Sequence, residues 1–475
     1  MTHPHRNAPS PDALDAIRAV VGDKDVIEGE DQAPFLTEWR GRWPGRASMI
    51  VAPASTQEVA DVVRICAANA IAITPQGGNT GLVGGQIPFG DEILLSLKRM
   101  RAIREVSPLN NTMTVDAGLT LAEAQAAAEE ADRLFPLSIG SEGSCQIGGV
   151  ISTNAGGVNV LRYGNMRDLV LGIEAVTADG KIWNGLKRLR KNNTGYDLKQ
   201  LFIGGEGTLG VVTGAVLKLF PRPQETATVL AGCASPADAV ALLSHAQGAT
   251  GGAATSFELI PRLGIECVLK HIPDTRDPLG APHPWYVLME FSAGNASGLR
   301  AATETMLAEA LERDLIADAA IADSEAQAQM FWRIRHSLSE ALNGEGKGVR
   351  LDVSVATSDI PAFLDKADAA TARIAPEARI VAFGHIGDGN IHYDAIPAQG
   401  AAKDALDSKR DAIEAAVYDV IDGFDGSISA EHGIGRARRD ALEDRKSALE
   451  LTMMRAVKTA LDPKGIMNPG KMLQE

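Results

Sequence analysis

The period of the apolar positions changes along the chain, and those changes divide it. From about Asp31 to Leu219, β-rich apolar runs alternate with capped helices. Val59, Val62, Val63 and Cys66 share one helical face just after Ser55-Thr56-Gln57-Glu58, which reads as a capping box. Thr120 followed by Glu123 opens a second, alanine-rich helix in the same way. Pro221-Arg222-Pro223 breaks the pattern and marks a domain boundary. From about 224 to 400, the strand-like runs Trp285–Phe291, Leu351–Val355 and Ile380–His385 are interspersed with amphipathic helices, which predicts an α+β domain with a mainly antiparallel sheet. Ile272–Pro284, rich in proline and aspartate, reads as an exposed loop. Ile413, Val417, Val420 and Ile421 form one stripe of a helical tail that closes on Leu461-Asp462-Pro463-Lys464-Gly465. The expected domains are 1–222 with a helical lead over 1–40, 223–425, and a helical C-terminal segment over 426–475.

A chain of 475 residues is too long for one compact core, in agreement with that division. The formal net charge of −15 argues against nucleic acid or an anionic membrane as the main partner, so an anionic substrate needs a local island of positive charge. No apolar run reaches the length of about 18 residues that a membrane span requires. Met1–Ala13 has no apolar signal core, so the expected location is cytoplasmic. Cys66, Cys145, Cys233 and Cys267 are scattered without a Cys-x-x-Cys pair, which argues against iron–sulfur ligation and for buried reduced thiols.

The 48 glycines are clustered rather than spread. Pro75-Gln76-Gly77-Gly78-Asn79-Thr80-Gly81 continues to Gly84-Gly85 directly after the apolar run Ile71–Thr74. Successive backbone N–H groups in such a loop can cradle a pyrophosphate. A second cluster runs from Gly140 to Gly157 and includes Gly148-Gly149 and Asn154-Ala155-Gly156-Gly157; a third is Gly204–Gly210. Gly205, Gly207 and Gly210 spell a literal G-x-G-x-x-G, but the β-branched run Val211–Phe220 after them reads as a strand. A Rossmann fingerprint must open a helix, so a nicotinamide site is not expected there. The plain alternative is that all three clusters are turns; turns do not usually bring so many paired glycines into one domain.

The segments PQGGNTGLVGG, SEGSCQIGGVISTNAGG, LRYGNMRDLVLGIEAVTADG and NNTGYDLKQLFIGGEGTLGVVT resemble the FAD-binding domain of the vanillyl-alcohol-oxidase/PCMH flavoprotein superfamily. The resemblance implies an α+β protein whose PCMH-type domain consists of two α/β subdomains enclosing an extended FAD. It implies cofactor contacts from Pro75, Gln76, Gly77, Gly78, Asn79, Thr80 and Gly81, from Gly140, Ser141, Ser144, Gly148 and Gly149, and from Thr153, Asn154, Gly156, Gly157 and Val158. Glu206, Gly207, Gly210 and Asn468 complete that set. Some members tether FAD through histidine. Here the first 240 residues hold only His3 and His5, outside the motifs, so non-covalent FAD is expected. Cys145 is read as a packed thiol rather than a flavin attachment point.

The second half carries His385-Ile386-Gly387-Asp388-Gly389-Asn390-Ile391-His392. Gly387–Asn390 has the composition of a hairpin loop between strand-like flanks. If those four residues form the loop, His385 and His392 stand opposite each other, with Cβ atoms about 5 Å apart. Two imidazoles at that separation can grip one Zn²⁺, Mn²⁺ or Fe²⁺. A hairpin with two satisfied histidines is the plain alternative. Glu431-His432-Gly433-Ile434-Gly435 weakens it, because Glu431 could close the site as a ligand and His432 could remain free as a base. Both reach one site only if the chain turns, which Gly433 and Gly435 permit.

Together, H-x-G-D-G-N-x-H and E-H-G-I-G resemble the C-terminal half of the FAD-linked D-lactate/D-2-hydroxyglutarate dehydrogenases, and Asn468-Pro469-Gly470-Lys471 is similar to their C-terminal motif. This resemblance spans about Asp31 to Lys471. It implies a divalent metal, zinc above manganese or iron, on His385, His392 and Glu431, with His432 taking the substrate proton. It also implies that Arg335 anchors the substrate carboxylate, and that Ser339, Arg350 and Asp394 stand around the bound acid where the D-2-hydroxyglutarate enzymes usually have threonine, lysine and asparagine. The implied activity is oxidation of a small anionic D-2-hydroxy acid, D-2-hydroxyglutarate first and D-lactate or D-malate as alternatives, with electrons passed to an electron-transfer flavoprotein or a quinone. The rival readings are an O₂-using flavin oxidase and a non-catalytic flavoprotein. A homodimer is the expected assembly.

Overall fold

The protein is described by a computed structural model covering residues 6–296 and 298–474; His3 and His5 lie outside the described residues. The chain forms two compact units. The first takes the residues up to Gly156, then Gly164–Arg222, then the segment from His432 onward; the second takes Gly157–Tyr163 and Pro223–Glu431.

The first unit contains two main sheets. Strands β1 (Val26–Ile27), β2 (Met49–Val51), β3 (Ile73–Gln76) and β4 (Ile93–Ser96) form one, in the order β1-β2-β4-β3. Its last three strands are parallel and largely buried, with Ile50, Ile73, Leu94 and Leu95 wholly covered beside the polar Thr74. The helix Thr56–Asn69 joins β2 to β3 and buries Val59, Val62, Val63 and Cys66. Its cap is half of the expected box: the Ser55 hydroxyl accepts from the Glu58 N–H, but Glu58 reaches back to the N–H of Ala54 instead. At Leu121–Glu130 the box is complete between Thr120 and Glu123.

The second sheet is antiparallel throughout, in the order β5-β6-β10-β8-β9: β5 (Ile103–Ser107), β6 (Thr112–Asp116), β8 (Val170–Thr177), β9 (Ile182–Gly185) and β10 (Gly210–Lys218). The short strands β7 (Arg133–Leu134) and β11 (Phe220–Pro221) pair beside it. The residue after the G-x-G-x-x-G stretch therefore enters a strand, not a helix. Arg104 joins Asp116 and Glu174 across the sheet face, which compensates two carboxylates that burial would otherwise disfavour.

The second unit is built on one seven-stranded sheet in the order β15-β12-β14-β13-β17-β18-β16. The strands are β12 (Glu225–Cys233), β13 (Ala254–Pro261), β14 (Trp285–Ala293), β15 (Asp318–Ile321), β16 (Val349–Ser354), β17 (Arg379–His385) and β18 (Asn390–Ile396). Every pairing among them is antiparallel. The helices Arg262–His271, Glu325–His336 and Leu338–Gly344 close one core with Leu230, Ile260, Leu288, Phe331 and Phe383. The loop 272–284 is not wholly exposed as expected, because Ile272 and Leu279 are buried in that core. In the helix Arg410–Asp422 the buried stripe is Ile413, Val417, Tyr418 and Ile421; Tyr418 takes the place expected for Val420. No helix among the described residues is long and apolar enough to cross a membrane.

Candidate functional site

The three glycine clusters converge inside the first unit. Pro75 and Gln76 end β3, and Gly77–Gly81 leave it as a loop. A Cβ on Gly78 would meet the Ser144 carbonyl oxygen at 1.8 Å, so only glycine lets the first and second clusters approach this closely. A Cβ on Gly207 would meet the Pro75 ring at 3.1 Å, joining the third cluster to the first. The Gly204 N–H donates to Ile151 and the Glu206 N–H to Ser152, joining the third to the second. Gly148 and Gly149 lie in the helix Ile147–Ser152, with Thr153 and Asn154 at its end, and the Asn154 carboxamide oxygen accepts the Arg167 N–H. Asn468 ties the assembly from the C-terminal side: its amide nitrogen donates to the carbonyls of Gly85 and Glu206.

This arrangement fits FAD. Cβ atoms built on Gly140, Gly143 and Gly149 would stand in open space rather than against protein. Among the described residues, the side-chain oxygens of Gln76, Gln146 and Asn468 are buried acceptors without a donor. A buried acceptor of that kind calls for a donor, and FAD carries several hydroxyl and N–H groups. Two expected contacts are otherwise committed. The Asn79 amide donates to the carbonyls of Pro34 and Thr37. The Glu206 carboxylate accepts the N–H groups of Ile434 and Gly435 at 2.7 Å each. Burial holds that carboxyl above its ordinary range even so. Gly433 and Gly435 have φ of +81° and +51°, so the chain turns immediately after His432. Gly157 and Val158 fall in the second unit, not with the other glycine-rich residues.

In the second unit the histidine hairpin keeps a four-residue loop, but at 386–389 rather than 387–390. Phe383, rather than His385, is the cross-strand partner of His392, and Asn390 belongs to β18 instead of the loop. The Asn390 amide donates to Asp352 and to the Val353 carbonyl, which draws that residue into the sheet. His385 and His392 still meet, with ring centroids 5.7 Å apart, because residues two apart on a strand share a face. Glu431 completes the group: its carboxylate oxygens lie 3.7 Å from His385 Nε2 and 3.9 Å from His392 Nε2. One donor atom from each of the three falls within 4.8 Å of the others.

Neighbouring groups orient these donors. Glu258 is the cross-strand partner of His385 on β13, and its Oε1 lies 2.6 Å from His385 Nδ1, leaving Nε2 toward Glu431. Burial opposes charge on both side chains, but their mutual attraction wins. His385 is raised to about 9 by Glu258 and Glu431, and Glu258 is lowered to about 2 by His385 and Arg335. The Glu431 backbone N–H donates to Asp352, whose carboxylate also lies 3.8 Å from His392 Nδ1. The Gly157 N–H donates to Glu431 Oε1 at 2.7 Å. Two imidazoles and a carboxylate, each held from behind, are a donor set suited to a divalent first-row ion.

Arg335 is buried on the helix Glu325–His336, with its Nε 2.7 Å from Glu258 Oε2 and its guanidinium over the Phe383 ring. Arg350 and Asp394 are cross-strand partners on β16 and β18, and Arg350 Nη1 donates to the Ser339 carbonyl. Ser339 itself is exposed at the start of the helix Leu338–Gly344. Glu258 and Asp352 were missed in the sequence because each is the one acid of its strand, and only register shows what it faces.

Comparison with known proteins bears on both units. A model of the FAD-linked oxidase C-terminal domain matches residues 222–472, and one of an FAD-binding domain matches residues 47–185. A D-2-hydroxyglutarate dehydrogenase from Xanthomonas citri is 36% identical, over 98% of this chain and 97% of its own length. The mitochondrial D-2-hydroxyglutarate dehydrogenase of Bos taurus is 37% identical, over 98% of this chain and 84% of its own length. A D-2-hydroxyglutarate–pyruvate transhydrogenase from Saccharomyces cerevisiae is 35% identical, over 96% of this chain and 93% of its own length. Among solved structures, p-cresol methylhydroxylase shares the fold at a TM-score of 0.76 with 17% identity, covering 97% of this chain and 96% of that one. These names also correct the cytoplasmic location expected from the N-terminal sequence: the relatives from Arabidopsis thaliana, Bos taurus and Rattus norvegicus are all called mitochondrial.

Proposed function

This chain belongs to the family of FAD-linked oxidases, and from that premise we propose that it oxidises a D-2-hydroxy acid to the 2-oxo acid at a metal-assisted flavin site. The observation that carries the reading is the group His385, His392 and Glu431, linked through Glu258 to the buried Arg335. A metal donor set and a guanidinium sharing one carboxylate suit a substrate that offers a hydroxyl and a carboxylate on adjacent carbons.

When bound, FAD supplies the hydride acceptor and a divalent ion, zinc before manganese or iron, supplies Lewis acidity at the 2-hydroxyl. His385, His392 and Glu431 would hold the ion, and the converging glycine clusters would hold FAD. Arg335 binds the substrate carboxylate and sets the orientation of Cα. His432, the residue after Glu431, takes the hydroxyl proton on an imidazole nitrogen.

The names of the relatives put D-2-hydroxyglutarate first among substrates. A second reading, D-lactate or another short acid, is favoured by the Arg350–Asp394 pair, because a distal carboxylate must compete with Asp394 for the guanidinium. Electrons leave to a separate acceptor, an electron-transfer flavoprotein or a quinone, and the name of the Saccharomyces relative adds pyruvate to the acceptors worth trying. The test is anaerobic mixing with D-2-hydroxyglutarate, D-malate, D-lactate and their L-isomers while the visible absorbance of the flavin is followed. Bleaching by a D-acid is expected; a flavin that none of them reduces would end the reading.

A further inference from the structure

Glu258 stands alone among apolar neighbours in the middle of β13 and is wholly buried. Both of its oxygens are taken, Oε1 by His385 Nδ1 at 2.6 Å and Oε2 by Arg335 Nε at 2.7 Å. Arg335 also covers the ring of Phe383, whose centroid is 5.1 Å from that of His392. Both histidines are therefore connected to Arg335, one through a carboxylate and one through a ring. A buried carboxylate needs an N–H partner for each oxygen, and Arg335 and His385 are the two that Glu258 has.

We propose that Glu258 is a positioning residue that makes the carboxylate anchor Arg335 and the metal ligand His385 a single unit, so that metal affinity and substrate affinity depend on each other. The inference rests on the reading of His385, His392 and Glu431 as a metal site and of Arg335 as the anchor. With the Nδ1–H held against Glu258, Nε2 is the nitrogen that a metal would take, in place of a proton. By accepting the Nε proton of Arg335, Glu258 leaves the outer guanidinium nitrogens for a ligand. The substitution Glu258→Gln separates these roles. A carboxamide has one acceptor oxygen for two partners that each bring an N–H, so one partner must go unsatisfied. If the amide nitrogen faces His385, Nδ1 must accept and the proton moves to Nε2, which can no longer ligate.

The test is a chelator-competition titration of zinc affinity on the FAD-loaded protein for wild type, Glu258→Gln, Arg335→Met and the double variant, together with the KM for the best D-acid. Expected are a loss of zinc affinity on the order of 10–100-fold in Glu258→Gln, a smaller loss in Arg335→Met, and no further effect of Arg335→Met once Glu258 is changed. Zinc affinity of Glu258→Gln equal to wild type, or strictly additive effects, would overturn the proposal. Should Glu258→Gln fail to fold, ¹⁵N-histidine NMR of the zinc-loaded wild type decides it: Nδ1 protonated and Nε2 metal-bound supports the assignment, and zinc on Nδ1 sinks it. A wild type that binds neither zinc nor manganese would instead defeat the metal reading itself, an outcome separate from metal binding that is indifferent to Glu258.

Discussion

Arg350 and Asp394 face each other across β16 and β18, with the guanidinium Nε 3.8 Å from the carboxylate and Asp394 buried. Replacing Asp394 with Asn should free Arg350 for a second carboxylate. A hydrogen bond to a charged group contributes about 1.5–3 kcal/mol, so kcat/KM for D-2-hydroxyglutarate relative to D-lactate should rise about 10-fold or more. Steady-state kinetics with both acids would check this, and an unchanged ratio would remove Asp394 from the specificity argument.

Metal dependence separates into two readouts, because the donor residues belong to the second unit while the glycine clusters, Gly157 apart, belong to the first. Chelation, or His392→Ala, should leave the flavin spectrum intact and lower the rate of flavin reduction by a D-acid by roughly 100-fold or more, since Lewis-acid stabilisation contributes several kcal/mol. Added zinc should restore the chelated wild type but not His392→Ala. Full reduction rates after chelation would remove the metal from the chemistry.

How much of this was legible in the sequence depends on whether a signal is local. The strands and the Thr120–Glu123 capping box follow from neighbouring residues, so they could be read directly. The hairpin register could not: Asn390 looks like a turn residue, yet its amide is drawn into the sheet by Asp352, which comes from another strand. Gly389, at φ +88° with only 2.0 Å between a notional Cβ and the Val355 carbonyl, takes the turn position instead. Glu258 reads as a misplaced acid until the pairing of β13 with β17 sets it opposite His385. The link from Glu206 to Ile434 and Gly435 is equally silent, because it joins two glycine motifs far apart in the chain.

Two glycines of the FAD region should behave differently. Gly78→Ala drives a Cβ onto the Ser144 carbonyl, a backbone atom that cannot move cheaply, so it should lower the melting temperature of the FAD-free protein, by an amount matching about 1–3 kcal/mol. Gly149→Ala meets no protein atom within 4 Å and sits in a helix, where alanine is preferred. It should leave the FAD-free melting temperature unchanged or slightly raised, yet weaken FAD binding. Scanning calorimetry and flavin titration of both variants distinguish the cases, and tight FAD binding by Gly149→Ala would move the cofactor away from that face.

Acid stability should respond to Glu345. This side chain is almost fully covered, and Lys270, His271 and Arg379 all reach its carboxylate. Burial works against its charge, but the hydrogen bonds from Lys270, Arg379 and His271 prevail and hold it at about 2, below an unfolded carboxyl near 4.3. With the folded value depressed, the unfolded chain takes up the proton first. The stabilising contribution is therefore fully present above about pH 4.3 and is lost as pH falls toward 2. Glu345→Gln removes that contribution, so the variant should melt lower than wild type at pH 6, and the gap should shrink steadily between pH 5 and pH 3. Thermal melts across that range read the difference directly. A gap that stays constant with pH would mean that Glu345 contributes through packing alone and that its three partners do not hold its charge.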